Sequence, residues 1–407
     1  MKILQINSVY KYGSTGNIVY NLHKLLLSNG HQSYVAYGRG DTNDEEFIYK
    51  IDKDIDIYIH GIGSRLFDKH GLYSTKATKR FIKYIEDLDP DIIHIHNIHG
   101  YYINYEILFN YLRKLNKPVI WTLHDCWSYT GHCAYYDFAD CNKWQKQCYE
   151  CPQIREYPQS LFIDNSKENF LLKKELFTSL SSLTLVTPSQ WLADEVRKSF
   201  FDTNKTRVIH NGIDLNIFRE KQSNFRKKYN LEKKFLILGI ASIWEERKGF
   251  RYFLKLAKKI TGSEHIILVG LNDKQLQSLP QNILGIKRTH NIEELAEIYS
   301  SVDVFVNPTL EDNFPTTNLE SLACGTPVIT FNSGGSQESI DADCGIVTER
   351  KNFNKLYENI IIIKNKTKEQ YRKKCKEKAK KHFDKNTCFN KYIELYQEIL
   401  EERKVDV

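Results

Sequence analysis

The amino-acid sequence predicts an α/β protein made of two open, parallel-sheet domains. Three observations carry this expectation. The 407 residues exceed one ordinary core and suit two domains of roughly 200 residues each. Short apolar runs alternate with helical periods along almost the whole chain, as in sheets whose parallel strands are joined by helices. The pattern runs through once and restarts near residues 200–206.

The elements follow in order. Lys2-Ile-Leu-Gln-Ile-Asn reads as a first strand, with Gly13 and Gly16 in the loop behind it. A helical period through Ile18, Leu22, Leu25 and Leu26 comes next and ends at Gly30-His31. Residues 32–37, 91–96, 118–124 and 183–187 read as further buried strands, and Ser189 suits the N-cap of the helix after the last. In the second half, residues 207–214 read as a short strand and turn. Residues 235–241, 264–270, 302–307 and 327–330 read as strands. The expected domains are 1–204, with a Cys-rich insertion at about 126–160, and 205–385. A C-terminal helix, 386–407, is expected to pack back toward the first domain. Open α/β sheets bind ligands at the carboxyl ends of their strands, so the site is expected in a cleft between the domains.

Composition excludes several classes. Hydrophobic residues are 41% and charged residues 27%, which describes a globular chain and not a disordered one. The longest mostly apolar run, 235–244, is far short of the roughly 20 residues of a spanning helix. The N-terminus reads as a strand and not as a signal peptide. Nine cysteines, most in one cluster, fit a reducing cytoplasm better than an exported disulfide framework. The net charge of +7 is concentrated: residues 364–385 hold eleven Lys/Arg against three acidic residues. A solvated helix face is one reading of that segment; peripheral contact with an anionic membrane surface is the other. Only Tyr371 and Phe383 interleave it as aromatic residues, so no nucleic-acid partner is expected.

The most informative stretch is Asn307-Pro-Thr-Leu-Glu-Asp-Asn-Phe-Pro-Thr-Thr-Asn-Leu-Glu-Ser-Leu-Ala-Cys-Gly-Thr-Pro-Val-Ile. A strand ends near Asn307, a polar loop follows, and a helix starts around Pro315. The first-turn N–H groups of Thr316, Thr317 and Asn318 suit a phosphate oxygen. Glu320 lies one to two turns into the helix, where a carboxylate can accept hydrogen bonds from two neighbouring ribose hydroxyls. The plainer reading is an acid complementing the helix dipole.

Acid-x-Phe-Pro-x-x-x-x-Glu ending at Glu320, followed by Ala-Cys-Gly-Thr-Pro-Val-Ile and Gly334-Gly335-Ser-Gln-Glu338, resembles the donor-site signature of family 4 retaining glycosyltransferases. The resemblance implies the GT-B fold, two Rossmann-like domains facing across a cleft. The family's first acid falls on Asp312, with Glu311 beside it, and is implied to touch the donor sugar. Ser242-Ile-Trp-Glu-Glu-Arg-Lys-Gly249 is similar to the segment in which an Arg and a Lys clamp the donor diphosphate. Lys248 falls on the Lys and Ser242 on the Arg position, and Arg247 is a candidate for the missing charge. Tyr12-Gly-Ser-Thr-Gly16 is similar to the family's glycine loop, where lack of a Cβ lets backbone approach the diphosphate. Thr122-Leu-His124-Asp-Cys-Trp127 matches the position of an active-site His, with a structural His as the alternative. His94, His96 and His99 form a second cluster, in which alternation puts His94 and His96 on one face. A metal-ligand set is a further reading of that cluster. The implied catalytic residues are His124, Lys248 and Asp312. The implied donor-binding residues are Gly13, Gly16, Ser242, Arg247, Lys248, Glu311, Asp312, Asn313, Phe314, Thr316, Thr317 and Glu320.

Cys133, Cys141, Cys148 and Cys151 lie within nineteen residues and end in Cys-x-x-Cys-Pro. Four thiols so close together suit a structural zinc; reduced free thiols are the other reading, and redox activity is a minor one. No cofactor is expected for catalysis, since the resembled family works without a metal. The implied activity moves a sugar from a UDP- or GDP-sugar to a glycan or lipid-linked acceptor, retaining configuration, for a surface polysaccharide. An epimerase or hydrolase that needs no acceptor, or a non-catalytic sugar-nucleotide binder, would show many of the same residues. Donor consumption without acceptor separates the first; loss of Lys248 or His124 would mark the second, and both are present.

Overall fold

The structure is a computed structural model of the chain and describes residues 1–40 and 46–405. It divides into two compact units. The first is Met1–His210 with the C-terminal segment from Phe389 onward; the second is Asn211–Cys388.

In the first unit the elements run β1 (Lys2–Val9), α1 (Gly13–Ser28), β2 (Gln32–Arg39), β3 (Ile48–Lys50), α2 (Asp54–Phe67), α3 (Thr75–Leu88), β4 (Ile92–Ile95), α4 (Tyr105–Leu115) and β5 (Val119–Thr122). They continue as α5 (Ser166–Phe177), β6 (Leu183–Thr187), α6 (Gln190–Arg197) and β7 (Lys205–Val208). The sheet order is β3-β2-β1-β4-β5-β6-β7, with every ladder parallel. The central strands are apolar on both faces: Ile3, Leu4, Ile6, Ile93, Ile95, Trp121 and Leu185 are buried, as helices on both sides of a parallel sheet require. The Ser189 side chain accepts the Leu192 N–H at 3.2 Å and caps α6.

The second unit runs α7 (Phe225–Lys228), β8 (Phe235–Ile240), α8 (Phe250–Lys259), β9 (Glu264–Val269), α9 (Asp273–Gln277), β10 (Ile283–Ile286), α10 (Ile292–Ser301) and β11 (Val304–Asn307). Then come α11 (Thr316–Ala323), β12 (Val328–Phe331), β13 (Gly345–Thr348), α12 (Phe353–Lys366) and α13 (Lys368–His382). Its parallel sheet has the order β10-β9-β8-β11-β12-β13. The last helix, α14 (Lys385–Val405), begins at the end of this unit and continues in the first. There the Tyr396 hydroxyl meets His94 Nδ1 at 2.7 Å, and Thr122 Oγ1 donates to the Tyr392 hydroxyl at 3.2 Å.

Two boundaries differ from the sequence reading. The strand read as opening the second half is β7, and it pairs with β6. The first unit therefore runs on to His210 instead of ending at 204. Gly13 and Gly16 stand in the first turn of α1 and not in a loop before it. Strands β3, β10 and β13 have no counterpart in the sequence reading.

The basic segment 364–385 is largely occupied within its own unit. Lys364 pairs with Glu264, Arg372 and Lys376 with Glu220, Lys378 with Asp341, and Lys385 with Asp214. The Lys368 ammonium is buried against the carbonyls of Ser300 and Val302. Lys373, Lys374, Lys380 and Lys381 are exposed. Among the described residues no helix is long and apolar enough to cross a membrane.

Candidate active site

In each sheet the strand order reverses once, between β1 and β4 and between β8 and β11. Ligand crevices of open α/β sheets form outside the strand ends at such points. The loops behind β8 and β11 hold Ser242, Arg247, Lys248 and residues 311–314, and the helices that follow β1 and β11 hold Gly13, Gly16, Thr316, Thr317 and Glu320.

In the second unit, the loop behind β8 turns through Glu246–Lys248 into Gly249, which has φ 79°. The Arg247 carbonyl accepts the Leu310 N–H at 2.7 Å, tying this loop to the one behind β11. A Cβ on Gly249 would lie 2.2 Å from the Pro308 carbonyl oxygen, so the close approach and the left-handed backbone both require glycine. Gly249→Ala is expected to destabilise by roughly 2–5 kcal/mol, from strained backbone plus overpacking. Chemical denaturation against wild type measures this; an unchanged midpoint would mean the loops are not held together here.

Lys248 Nζ lies 2.5 Å from Asp312 Oδ2, with both side chains partly exposed. Asp312 is fixed from behind. Its carbonyl accepts the Gly335 N–H at 3.0 Å, and a Cβ on Gly334, at φ 53°, would stand 2.1 Å from that same oxygen. The Ser333 hydroxyl donates to the Thr309 carbonyl at 2.7 Å. The sequence reading placed Asp312 at the donor sugar. In the structure it holds the Lys248 ammonium, and a carboxylate with two oxygens can serve both partners. Ser242 is exposed, and the Arg247 guanidinium is engaged with Glu245 at 3.0 Å. Glu311 is buried, with its carbonyl accepting the Thr309 hydroxyl at 2.9 Å. Asn313 and Phe314 are also buried. The Phe314 ring packs on Phe383 at 5.9 Å, so its side chain serves the core.

Thr316 and Thr317 open α11 behind Pro315, and both are partly exposed. Asn318, read as an N–H donor to a phosphate, is not one here: its N–H donates to the Pro315 carbonyl at 3.2 Å. Its side chain is fully buried, accepts from Asn307 at 2.9 Å, and donates to Ser336 and Ser339. This network fixes α11 to the end of β11 and to the turn after β12. Tyr299, on α10, was missed in the sequence: its hydroxyl donates to Glu320 Oε2 at 3.1 Å.

Burial pushes the Glu320 carboxyl up to about 7, while hydrogen bonds from Tyr299 and Thr316 pull the other way. If ribose hydroxyls donate to Glu320, binding favours its ionised form. Nucleotide affinity should then rise with pH, by up to about tenfold per unit below neutrality, and flatten above it. Calorimetric titrations on either side of neutrality test this, and Glu320→Gln should abolish the slope. A slope that persists in that variant belongs to another group. Stability has the opposite sign. The unfolded chain ionises this carboxyl more readily, so the group erodes stability as pH rises from the ordinary glutamate range toward 7.

In the first unit, Gly13 begins α1 with φ 66°, and an added Cβ there would meet nothing within 4 Å. Gly16 is buried, with its Cβ position 3.2 Å from Val9. His124 follows β5 and its Nε2 lies 3.1 Å from His96 Nδ1, the rings stacked at 5.3 Å. Burial pushes His124 down to about 4. It is therefore a neutral imidazole near pH 7, able to donate or accept a hydrogen bond but carrying no charge. His94 bonds Tyr396 through one nitrogen and Thr122 through the other, which gives it a structural role. His99 bridges Asp125 at 2.7 Å and Tyr157 at 3.0 Å. Among the described residues no group of three or more His, Cys, Asp or Glu side chains is placed so that it could hold a metal ion.

Two Rossmann-like parallel-sheet units in one chain make this a protein of GT-B type. Residues 15–217 match the family model for Glycosyltransferase Family 4, and residues 234–365 match that for Glycosyl transferases group 1. The chain belongs to this glycosyltransferase family. It is 25% identical over 367 residues to a protein of Escherichia coli K12 named as a colanic acid biosynthesis glycosyl transferase, WcaC, covering 85% of this chain and 86% of that one. It is 27% identical over 279 residues to the N,N'-diacetylbacillosaminyl-diphospho-undecaprenol alpha-1,3-N-acetylgalactosaminyltransferase of Campylobacter jejuni, covering 63% and 73%. Anabaena HepE, solved in complex with UDP-glucose, superposes with a TM-score of 0.64 at 16% identity, over 98% of this chain and 100% of that one.

Proposed function

We propose that this glycosyltransferase moves a hexose from a nucleotide diphosphate sugar to a hydroxyl of a glycan or lipid-linked acceptor. The transfer retains the anomeric configuration and serves a surface polysaccharide. The observation that carries the reading is the Lys248–Asp312 pair at the sheet's switch point, in the loops leading to the partly exposed Thr316 and Thr317 that open α11. A cation and the backbone N–H groups of Thr316 and Thr317 at a helix N-terminus suit a diphosphate.

In this reading Glu320 takes the ribose hydroxyls. The N–H groups of Thr316 and Thr317 take phosphate oxygens, and Lys248 faces the diphosphate. As the sugar–phosphate bond breaks, the leaving diphosphate gains negative charge, which Lys248 and the helix terminus stabilise. The departing phosphate oxygen takes the proton of the acceptor hydroxyl on the face it leaves, so no opposed pair of carboxylates is needed. The open space above Gly13 lets backbone approach the diphosphate. Neutral His124 supplies a hydrogen bond to the donor sugar. The relatives named above, one for colanic acid and one for a diphospho-undecaprenol acceptor, support the acceptor class. The HepE complex supports a UDP-sugar.

A thermal-shift screen of UDP- and GDP-sugars identifies the donor, because a ligand of the native state raises Tm. NMR of the product formed on a lipid-linked acceptor then gives the anomeric configuration. An inverted product overturns the retaining assignment. Donor cleavage at an equal rate without acceptor overturns transfer itself.

A further inference from the structure

Between β5 and α5 the chain runs from 123 to 165 with only two 3-10 turns, Trp127–Tyr129 and Lys143–Gln145, as helical structure and no strand. Its inner part joins the core of the first unit through Trp127, Tyr129 and Tyr136. Its outer part adds little to that core: between 137 and 157 only Trp144 and Cys148 are buried in it, with Cys141 and Cys151 packed against it. So long a stretch without ladders has only these few apolar anchors to fix its conformation.

The insertion also brings four thiols to the lining of one pocket. Cys133, Cys141, Cys148 and Cys151 all line a single pocket, together with Tyr136 and Trp144. None is in a disulfide, and the Cys133 and Cys151 thiols are within hydrogen-bonding reach of each other. The backbone holds each approach. Cys141 and Cys151 are each preceded by a residue in left-handed conformation, Asp140 at φ 51° and Glu150 at φ 42°. The Gly131 N–H donates to the Cys148 sulfur at 3.2 Å. Only glycine fits there, since a Cβ would stand 1.9 Å from the Ser166 carbonyl oxygen. Cys141 is held by its carbonyl, which accepts the Trp144 indole N–H at 3.1 Å, and the Cys151 N–H donates to Asp164 at 2.6 Å. The thiols border the pocket without forming, as placed, a set that could hold a metal ion; closing on one requires a change of staggered χ1 rotamer at some of them.

We propose that Cys133, Cys141, Cys148 and Cys151 bind one structural zinc ion, and that this metal fixes the outer part of the insertion. Zinc takes four thiolates tetrahedrally, and an N–H to sulfur bond such as Gly131 to Cys148 is the outer-shell support such sites use. A tetrathiolate zinc carries a net charge of −2. The fully buried Lys173 side chain, whose Nζ donates to the carbonyls of Trp127 and Thr130, brings positive charge to this region.

Elemental analysis of the full chain, purified under reducing conditions without added metal, should find about one zinc per chain. Cobalt exchanged into the site should give thiolate charge-transfer and tetrahedral d–d bands. Cys148→Ser should reduce bound zinc at least tenfold. Should that variant fail to fold, Cys141→Ser, at a partly exposed position, gives the same readout. Cys126→Ser, outside the set, should keep the metal. Chelation should expose residues 137–157 to protease while leaving nucleotide affinity unchanged. The proposal is overturned by reduced protein that holds and takes up neither zinc nor cobalt, by iron with sulfide in place of zinc, or by a native Cys133–Cys151 disulfide.

Discussion

Lys248→Ala is expected to slow sugar transfer by roughly 10²–10³ at saturating donor, the effect of removing one electrostatic stabiliser of a developing anion. The ammonium faces the diphosphate in the ground state too, but the interaction strengthens as the leaving group gains charge. Donor affinity should fall less, because the first-turn N–H groups of Thr316 and Thr317 remain. The pairing with Asp312 at 2.5 Å adds a second consequence. Removing the lysine leaves that carboxylate facing an incoming anion. The double variant Lys248→Ala with Asp312→Asn should therefore recover donor affinity relative to the single variant without recovering rate. Single-turnover transfer and calorimetry separate the two quantities. A folded Lys248→Ala enzyme at wild-type rate would make Lys248 a surface lysine.

Glu320→Gln should weaken donor binding by roughly ten- to hundred-fold, since charge-assisted hydrogen bonds contribute about 1.5–3 kcal/mol. The substitution keeps size and the Tyr299 contact, yet replaces one acceptor oxygen with an NH₂ group facing two hydroxyl donors. Tyr299→Phe provides a graded companion. It removes the 3.1 Å hydrogen bond that orients the carboxylate and should cost less than tenfold. Unchanged nucleotide affinity in a folded Glu320→Gln protein refutes the ribose assignment and leaves the acid complementing the helix dipole.

The central strands of both sheets were legible because full burial writes them as continuous apolar runs, as at 235–241 and 183–187. The four outermost strands are β3, β7, β10 and β13. Each has three or four residues and is half solvated, so little in its composition marks it, and β7 was assigned to the wrong unit for that reason. The candidate site shows the same division. Lys248, Asp312, Thr316 and Glu320 stand in local motifs that a sequence displays. Tyr299, 21 residues before Glu320, reads as one more apolar position of α10, and nothing local marks its hydroxyl as a carboxylate donor. The Asp312 ion pair and the Asn318 network likewise join residues from separate loops. The four thiols were legible as a cluster from spacing alone; that all line one pocket needed the fold.

The return of α14 to the first unit sets an order of events during synthesis. Residues 1–210 leave the ribosome first, yet their unit includes His94 and Thr122, whose partners Tyr396 and Tyr392 are made last. The second unit, Asn211–Cys388, is continuous in sequence and needs nothing made after it to complete its fold. The half of the protein that is synthesised first is therefore finished second. A released chain truncated before 389 should carry a protected second unit and a protease-sensitive first one.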